Sequence, residues 1–156
     1  MLKNNRKLFA AFTLIELLVV ISVIAILISM VTVSFTSAQK QARDTKRKSD
    51  LVQYRTVLES YANKTNGLFP AHTLAVAAET ICGASELNQA GCPTDPKNGT
   101  SPYGCKYASD GTAGFTATKY ALYGILESAT TTYWVVCSNG STISKTTGVP
   151  SMSDCP

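Results

Sequence analysis

Glu16 is the one ionisable side chain between Phe12 and Phe35. Its flanks, Leu14-Ile15 and Leu17-Leu18, are apolar. A lone carboxylate has no acid–base partner beside it, so the chemistry open to it is neutralisation of a cation. In a bilayer such a residue costs about 2.5–3.5 kcal/mol at the helix centre and less near the end, which argues for a partner and a function. The other reactive side chains are Cys82, Cys92, Cys105, Cys137 and Cys155, all in the second half. There is no CxxC pair and His72 is the only histidine, so no structural metal site is expected. A catalytic cysteine would have only His72 as its base, and His72 falls in a loop-like stretch. No catalytic residue and no cofactor are expected.

The element that holds Glu16 is an apolar run over 14–33, about 30 Å as a helix and therefore about one bilayer core. A secretory signal would have a shorter core of about 7–15 residues, although Thr36-Ser37-Ala38 offers a small-residue cleavage site. A plain single-pass anchor explains the length but not Glu16. Hydrophobic residues make up 45% of the chain and charged residues 15%, against about 25% charged in soluble domains. This excludes an ordinary cytosolic enzyme, and a single apolar run excludes a multi-pass transporter. Lys3, Arg6 and Lys7 carry three of the fourteen basic charges, leaving eleven against ten acids, so bulk charge does not argue for nucleic acid. Lys40, Arg43, Lys46, Arg47 and Lys48 follow the run and outnumber the leader bases, so the Lys/Arg rule alone does not set orientation. Cysteines confined to the far side point to an oxidising compartment there, with the N-terminus in the cytoplasm.

The string Ala10-Ala11-Phe12-Thr13-Leu14-Ile15-Glu16-Leu17 closely resembles the processing site of type IV pilins and of the pseudopilins of type II secretion. In that family a basic leader and a small residue precede Phe-Thr-Leu-Ile-Glu and an apolar helix. The resemblance implies that prepilin peptidase cuts between Ala11 and Phe12 and methylates the new Phe12 amine. The family usually has Gly before the cut, where this chain has Ala11. A free amine is positive at neutral pH, with a reference pKa of about 7.7–8.0. Glu16 lies four residues on, about 6 Å along a helix, and a first-turn carboxylate also suits the helix dipole. By resemblance, Glu16 of one subunit meets the Phe12 amine of another during assembly.

No Pro or Gly interrupts residues 12–66, so one helix over 12–62 is expected, ended by Asn66-Gly67 and Pro70. Its outer half shows a stripe, small at Ala38, Ala42, Thr45, Ser49 and Val52, and bulky at Leu51, Tyr54, Leu58 and Tyr61. The basic stretch 40–48 invites a DNA reading. A solvated face balanced by Asp44 and Asp50 is preferred, because no aromatic residues alternate with the bases. Beyond Pro70 the chain reads as loop with one short helix over 74–78 or slightly beyond, then strands over 103–108, 115–126, 133–137 and 142–145. Asn139-Gly140 marks a hairpin between the last two. The expected fold class is α+β, a long N-terminal helix packed on a small antiparallel sheet of three or four strands whose other face meets water. The organisation is a cleaved leader 1–11, a membrane-spanning and assembly half 12–35, an amphipathic outer half 36–66, and an extracytoplasmic head 67–156.

Cys137 with Cys155 resembles the C-terminal disulfide loop of type IV pilins, and would close a loop worth about 3 kcal/mol. Cys82 with Cys92 is the next pairing, with Cys92–Cys105 close behind. The turn Asp95-Pro96-Lys97-Asn98-Gly99 resembles major pseudopilins, where calcium can sit near the sheet. Asp95 and Asp110 read as turn formers, and no metal is expected. The reading is a non-enzymatic filament subunit, a pilus or pseudopilus component. Its partners are copies of itself, prepilin peptidase, membrane lipid before assembly and, indirectly, the assembly platform and its ATPase. It begins as a single-pass protein of the cytoplasmic membrane and ends in an extracytoplasmic filament. The alternatives are a membrane-anchored binding module, or a competence pilin touching DNA through 40–48.

Overall fold

The structure, a computed structural model, describes residues 12–83, 86–97, 99–100, 102–114, 116–129 and 131–156, with backbone alone at 31–34. The leader, including Ala11, and the turn and strand residues Asn98 and Phe115 lie outside the described residues. Helix α1 runs Leu14–Ala62, two residues shorter at its start than the sequence suggests. At its far end Asn66 and Gly67 take φ of 56° and 84°, and the Gly67 amide donates back to the Ala62 carbonyl at 2.8 Å. That left-handed pair stops the helix.

Two compact units meet at Ala38/Gln39. In the first, every described residue from Phe12 to Met30 is exposed. The second holds the outer part of α1 and a five-stranded antiparallel meander. Its strands are β1 (Val76–Ala77), β2 (Lys106–Ser109), β3 (Tyr120–Ile125), β4 (Tyr133–Cys137) and β5 (Thr142–Lys145), in that spatial order. A short helix α2, Ala78–Cys82, follows β1, where one short helix over 74–78 or slightly beyond was expected. The β4–β5 hairpin turns at Asn139-Gly140: Gly140 has φ of 88°, and the Asn139 side chain accepts from the Ser141 amide at 2.9 Å. Residues before β3 do not continue the strand. Asp110 instead ties up the Thr118 and Lys119 amides at 2.8 and 3.0 Å.

Strand β3 is buried at all six positions, because both sheet faces are covered. On one face Tyr107, Tyr120, Leu122 and Val136 join Leu51, Tyr54 and Leu58 of α1. On the other, Ala121, Tyr123, Val135 and Cys137 meet Cys155 and Met152 of the C-terminal tail. The expectation that this second face meets water is therefore corrected: the tail lies over it, fastened by the Cys137–Cys155 disulfide and by Lys145 Nζ to Asp154 at 2.6 Å. The small-residue stripe is corrected too. Ala38, Ala42, Thr45, Ser49 and Val52 are exposed, while Asp44, Arg47, Asp50, Leu51, Tyr54, Leu58 and Ala62 form the buried face of α1.

Candidate processing and assembly site

Phe12 and Thr13 precede the helix, and Thr13 supplies its cap. The Glu16 amide donates to Thr13 Oγ1 at 3.3 Å, and the Thr13 amide donates to Glu16 Oε2 at 2.9 Å. The Thr13 hydroxyl also donates to that same oxygen at 2.7 Å. This is a reciprocal capping box, which satisfies two of the amides that a helix start otherwise leaves open. Sequence reasoning assigned Glu16 to an amine and overlooked Thr13. The signal was present as Thr-x-x-Glu directly before an apolar run. The capping donors are neutral, so they orient the carboxylate without cancelling its charge.

Around this turn the surface is apolar: Phe12 is 84% exposed and Leu14 88%. Farther along, Ser22 and Ser29 donate to the Val19 and Ile26 carbonyls at 2.8 and 2.7 Å. Those hydroxyls need no water, as a greasy surroundings would require. Neither Leu14–Met30 nor Phe35–Ala62 is by itself long and apolar enough to cross a membrane. The two taken together are, by length and composition.

The basic segment does not form one solvated face. Arg47 is fully buried. Its guanidinium donates to Asp95 through Nε and, at 2.9 Å, through Nη2, and to Asp44 at 2.9 Å. Arg43 grips Glu127 with Nε and Nη2 at 2.9 and 2.8 Å, and Lys97 reaches the same carboxylate at 3.0 Å. Asp44 in turn accepts from the Glu127 and Ser128 amides at 2.7 and 2.9 Å. Three cations thus meet three anions, pinning the 95–97 loop and the 127–128 turn to α1. Gly124 makes room for this: a Cβ there would lie 3.0 Å from Arg47 Cδ. The Arg43 bonds hold the Glu127 carboxyl down at about 2, against its burial, with Lys97 adding to the effect. Burial pushes Asp95 up, but its bonds from Arg47 and the Lys97 amide outweigh that and leave it lowered. Lys48 lies 4.4 Å from the Trp134 ring centre. Lys40 and Lys46 are exposed.

Cys82 is bonded to Cys92 and Cys137 to Cys155, while Cys105 is a free, buried thiol. Among the described residues no cluster of His, Cys, Asp and Glu is arranged to hold a metal. Asp95 serves the ion cluster and Asp110 its own loop.

Residues 6–32 match the model of one protein family, described as the prokaryotic N-terminal methylation motif. The chain carries this methylation motif. It is characteristic of type IV pilins and pseudopilins, and it covers the capping box and the exposed apolar helix described above. The match supports a prepilin-like start to the chain. No curated protein and no solved structure matches the chain.

Proposed function

We propose that this protein is a structural subunit of a type IV pilus or a secretion pseudopilus. The leader 1–11 is removed between Ala11 and Phe12, and the Phe12 amine is methylated. Residues 12–35 sit in the bilayer first and pack among neighbouring helices afterwards. Residues 36–66 form the amphipathic outer half of the helix, and 67–156 the extracytoplasmic head. The observation that carries this reading is the methylation motif at the start of a helix whose described side chains, Phe12 to Met30, find no cover within their own unit. Apolar surface of that extent marks a lipid or protein contact.

Glu16 is the group that distinguishes a filament subunit from a simple anchor. Thr13 offers it hydrogen bonds but no positive charge. Leaving it ionised among apolar helices is costly, so the ammonium at Phe12 of a neighbouring subunit is its natural counter-ion. Glu16→Gln removes the charge while keeping the shape. The variant is expected to enter the membrane normally and to yield about tenfold fewer filaments or less, as judged by electron microscopy of sheared surface material. Wild-type filament yield from Glu16→Gln would refute the charge-pairing account.

A further inference from the structure

Resting on the membrane-anchored reading above, we infer that Lys40, Lys46 and Lys48 form a basic collar around α1 that binds the phosphate groups of anionic phospholipids while the chain is in the bilayer. The collar is what remains once the surrounding charges have neutralised one another. Arg43, Arg47 and Lys97 are matched by Asp44, Asp95 and Glu127. No described carboxylate lies within ion-pair distance of Lys40, Lys46 or Lys48. Asp50 feels the Lys46 charge, but it is itself buried, which pushes its carboxyl up toward the neutral form. Lys40 and Lys46 are exposed, and the Trp134 ring holds the Lys48 ammonium at 4.4 Å without cancelling its charge.

Chain length places the collar at the lipid surface. Phe35 is the last large apolar side chain of the run, and residues 35–62 are helical. Lys40 is therefore about 8 Å beyond Phe35 along the axis, Lys46 about 17 Å and Lys48 about 20 Å. The headgroup layer is about 5–8 Å thick on each side, and its field reaches about 8–10 Å farther before salt screens it. A tilted helix brings all three lysines closer. Their angular spacing favours a membrane over a nucleic acid. At about 100° per residue, Lys46 and Lys48 stand about 240° and 80° around the helix from Lys40. A duplex lying along the helix would meet one face only. A lipid surface that the helix passes through meets every face.

The test uses the full-length chain in vesicles of phosphatidylcholine alone, or of phosphatidylcholine and phosphatidylglycerol in equal parts. A membrane-impermeant amine reagent is read lysine by lysine by mass spectrometry. Phosphatidylglycerol is expected to slow labelling of Lys40 about fivefold, and of Lys46 and Lys48 by progressively less. Lys64, beyond the far end of α1, is expected to label at the same rate in both. Salt at about 1 M is expected to abolish the difference. Equal labelling of Lys40 in the two vesicles would overturn the inference, as would slowing that extends equally to Lys64. So would protection of the three lysines by a DNA duplex in neutral vesicles with none from phosphatidylglycerol, which would assign the collar to nucleic acid. A chain that fails to sediment with either vesicle would instead overturn the membrane reading itself.

Discussion

Glu16 and Glu127 show how surroundings decide what a glutamate does. Glu127 is buried and bonded by Arg43, Lys97 and Arg47; its charge is spent inside the fold. Glu16 is bonded by one threonine of its own helix start; in the proposed function its charge is answered from outside its own chain. Sequence reading found Glu16 because a charge among apolar residues stands out by itself. It missed Glu127 because nothing in Leu126-Glu127-Ser128 announces cations contributed by Arg43 and Lys97. Cys105 illustrates the third state, a reactive group made inert. Burial is the main cause that pushes its thiol up to about 12, helped by the nearby Asp95 and Asp50 charges, so thiolate is scarce at neutral pH. Iodoacetamide at pH 8 is therefore expected to leave the native protein unlabelled and to add one label after unfolding without reductant. Rapid labelling of the native chain, or more than one label on the unfolded one, would contradict this assignment of the five cysteines.

Within α1 the outer half is held to the head by two kinds of contact. From Leu51 onward the grip is apolar; at Arg43, Asp44 and Arg47 it is ionic. The helix length and its stop at Asn66-Gly67 were legible from the absence of Gly and Pro and from turn chemistry. So was the bulky part of the face it buries, Leu51, Tyr54 and Leu58; the ionic part was not. Hydropathy placed 44, 47 and 50 in water, whereas Arg47 finds its partners Asp95 and Glu127 at separations of 48 and 80 residues. The second sheet face was hidden for a similar reason: a tail poor in apolar residues covers it through a disulfide and an ion pair rather than through a hydrophobic pattern. Arg47→Ala would strand buried carboxylates and is expected to cost about 3–5 kcal/mol in urea unfolding. Acid acts on the same cluster. Glu127 is lowered from an ordinary 4.5 to about 2 in the fold, so its stabilisation is complete above about 4.5 and disappears as pH falls toward 2. The melting temperature is expected to drop through that window, and Glu127→Gln to flatten the drop. An Arg47→Ala variant as stable as wild type, or a Glu127→Gln variant with an unchanged acid profile, would contradict the ion-cluster account.

At the scale of the whole molecule, one unit buries its polar and apolar groups within itself and the other buries almost nothing among its described residues. The unit from Gln39 to Pro156 closes both faces of its sheet, one of them with the outer part of α1, and fixes its loops by Cys82–Cys92 and by the ion cluster. The N-terminal segment, Phe12 to Met30, displays its side chains outward, and satisfies its own hydroxyls as a lipid-facing helix would. Such a division suits a protein whose stability resides in the head and whose function resides in what its helix packs against. The proposed function begins with a single covalent event at the chain start, and mass spectrometry of the native, cell-derived protein tests it directly. The account predicts a chain beginning at Phe12 and carrying one methyl group on its terminal nitrogen. A chain beginning at Met1, or one cut after Ala38 to begin at Gln39, would contradict it.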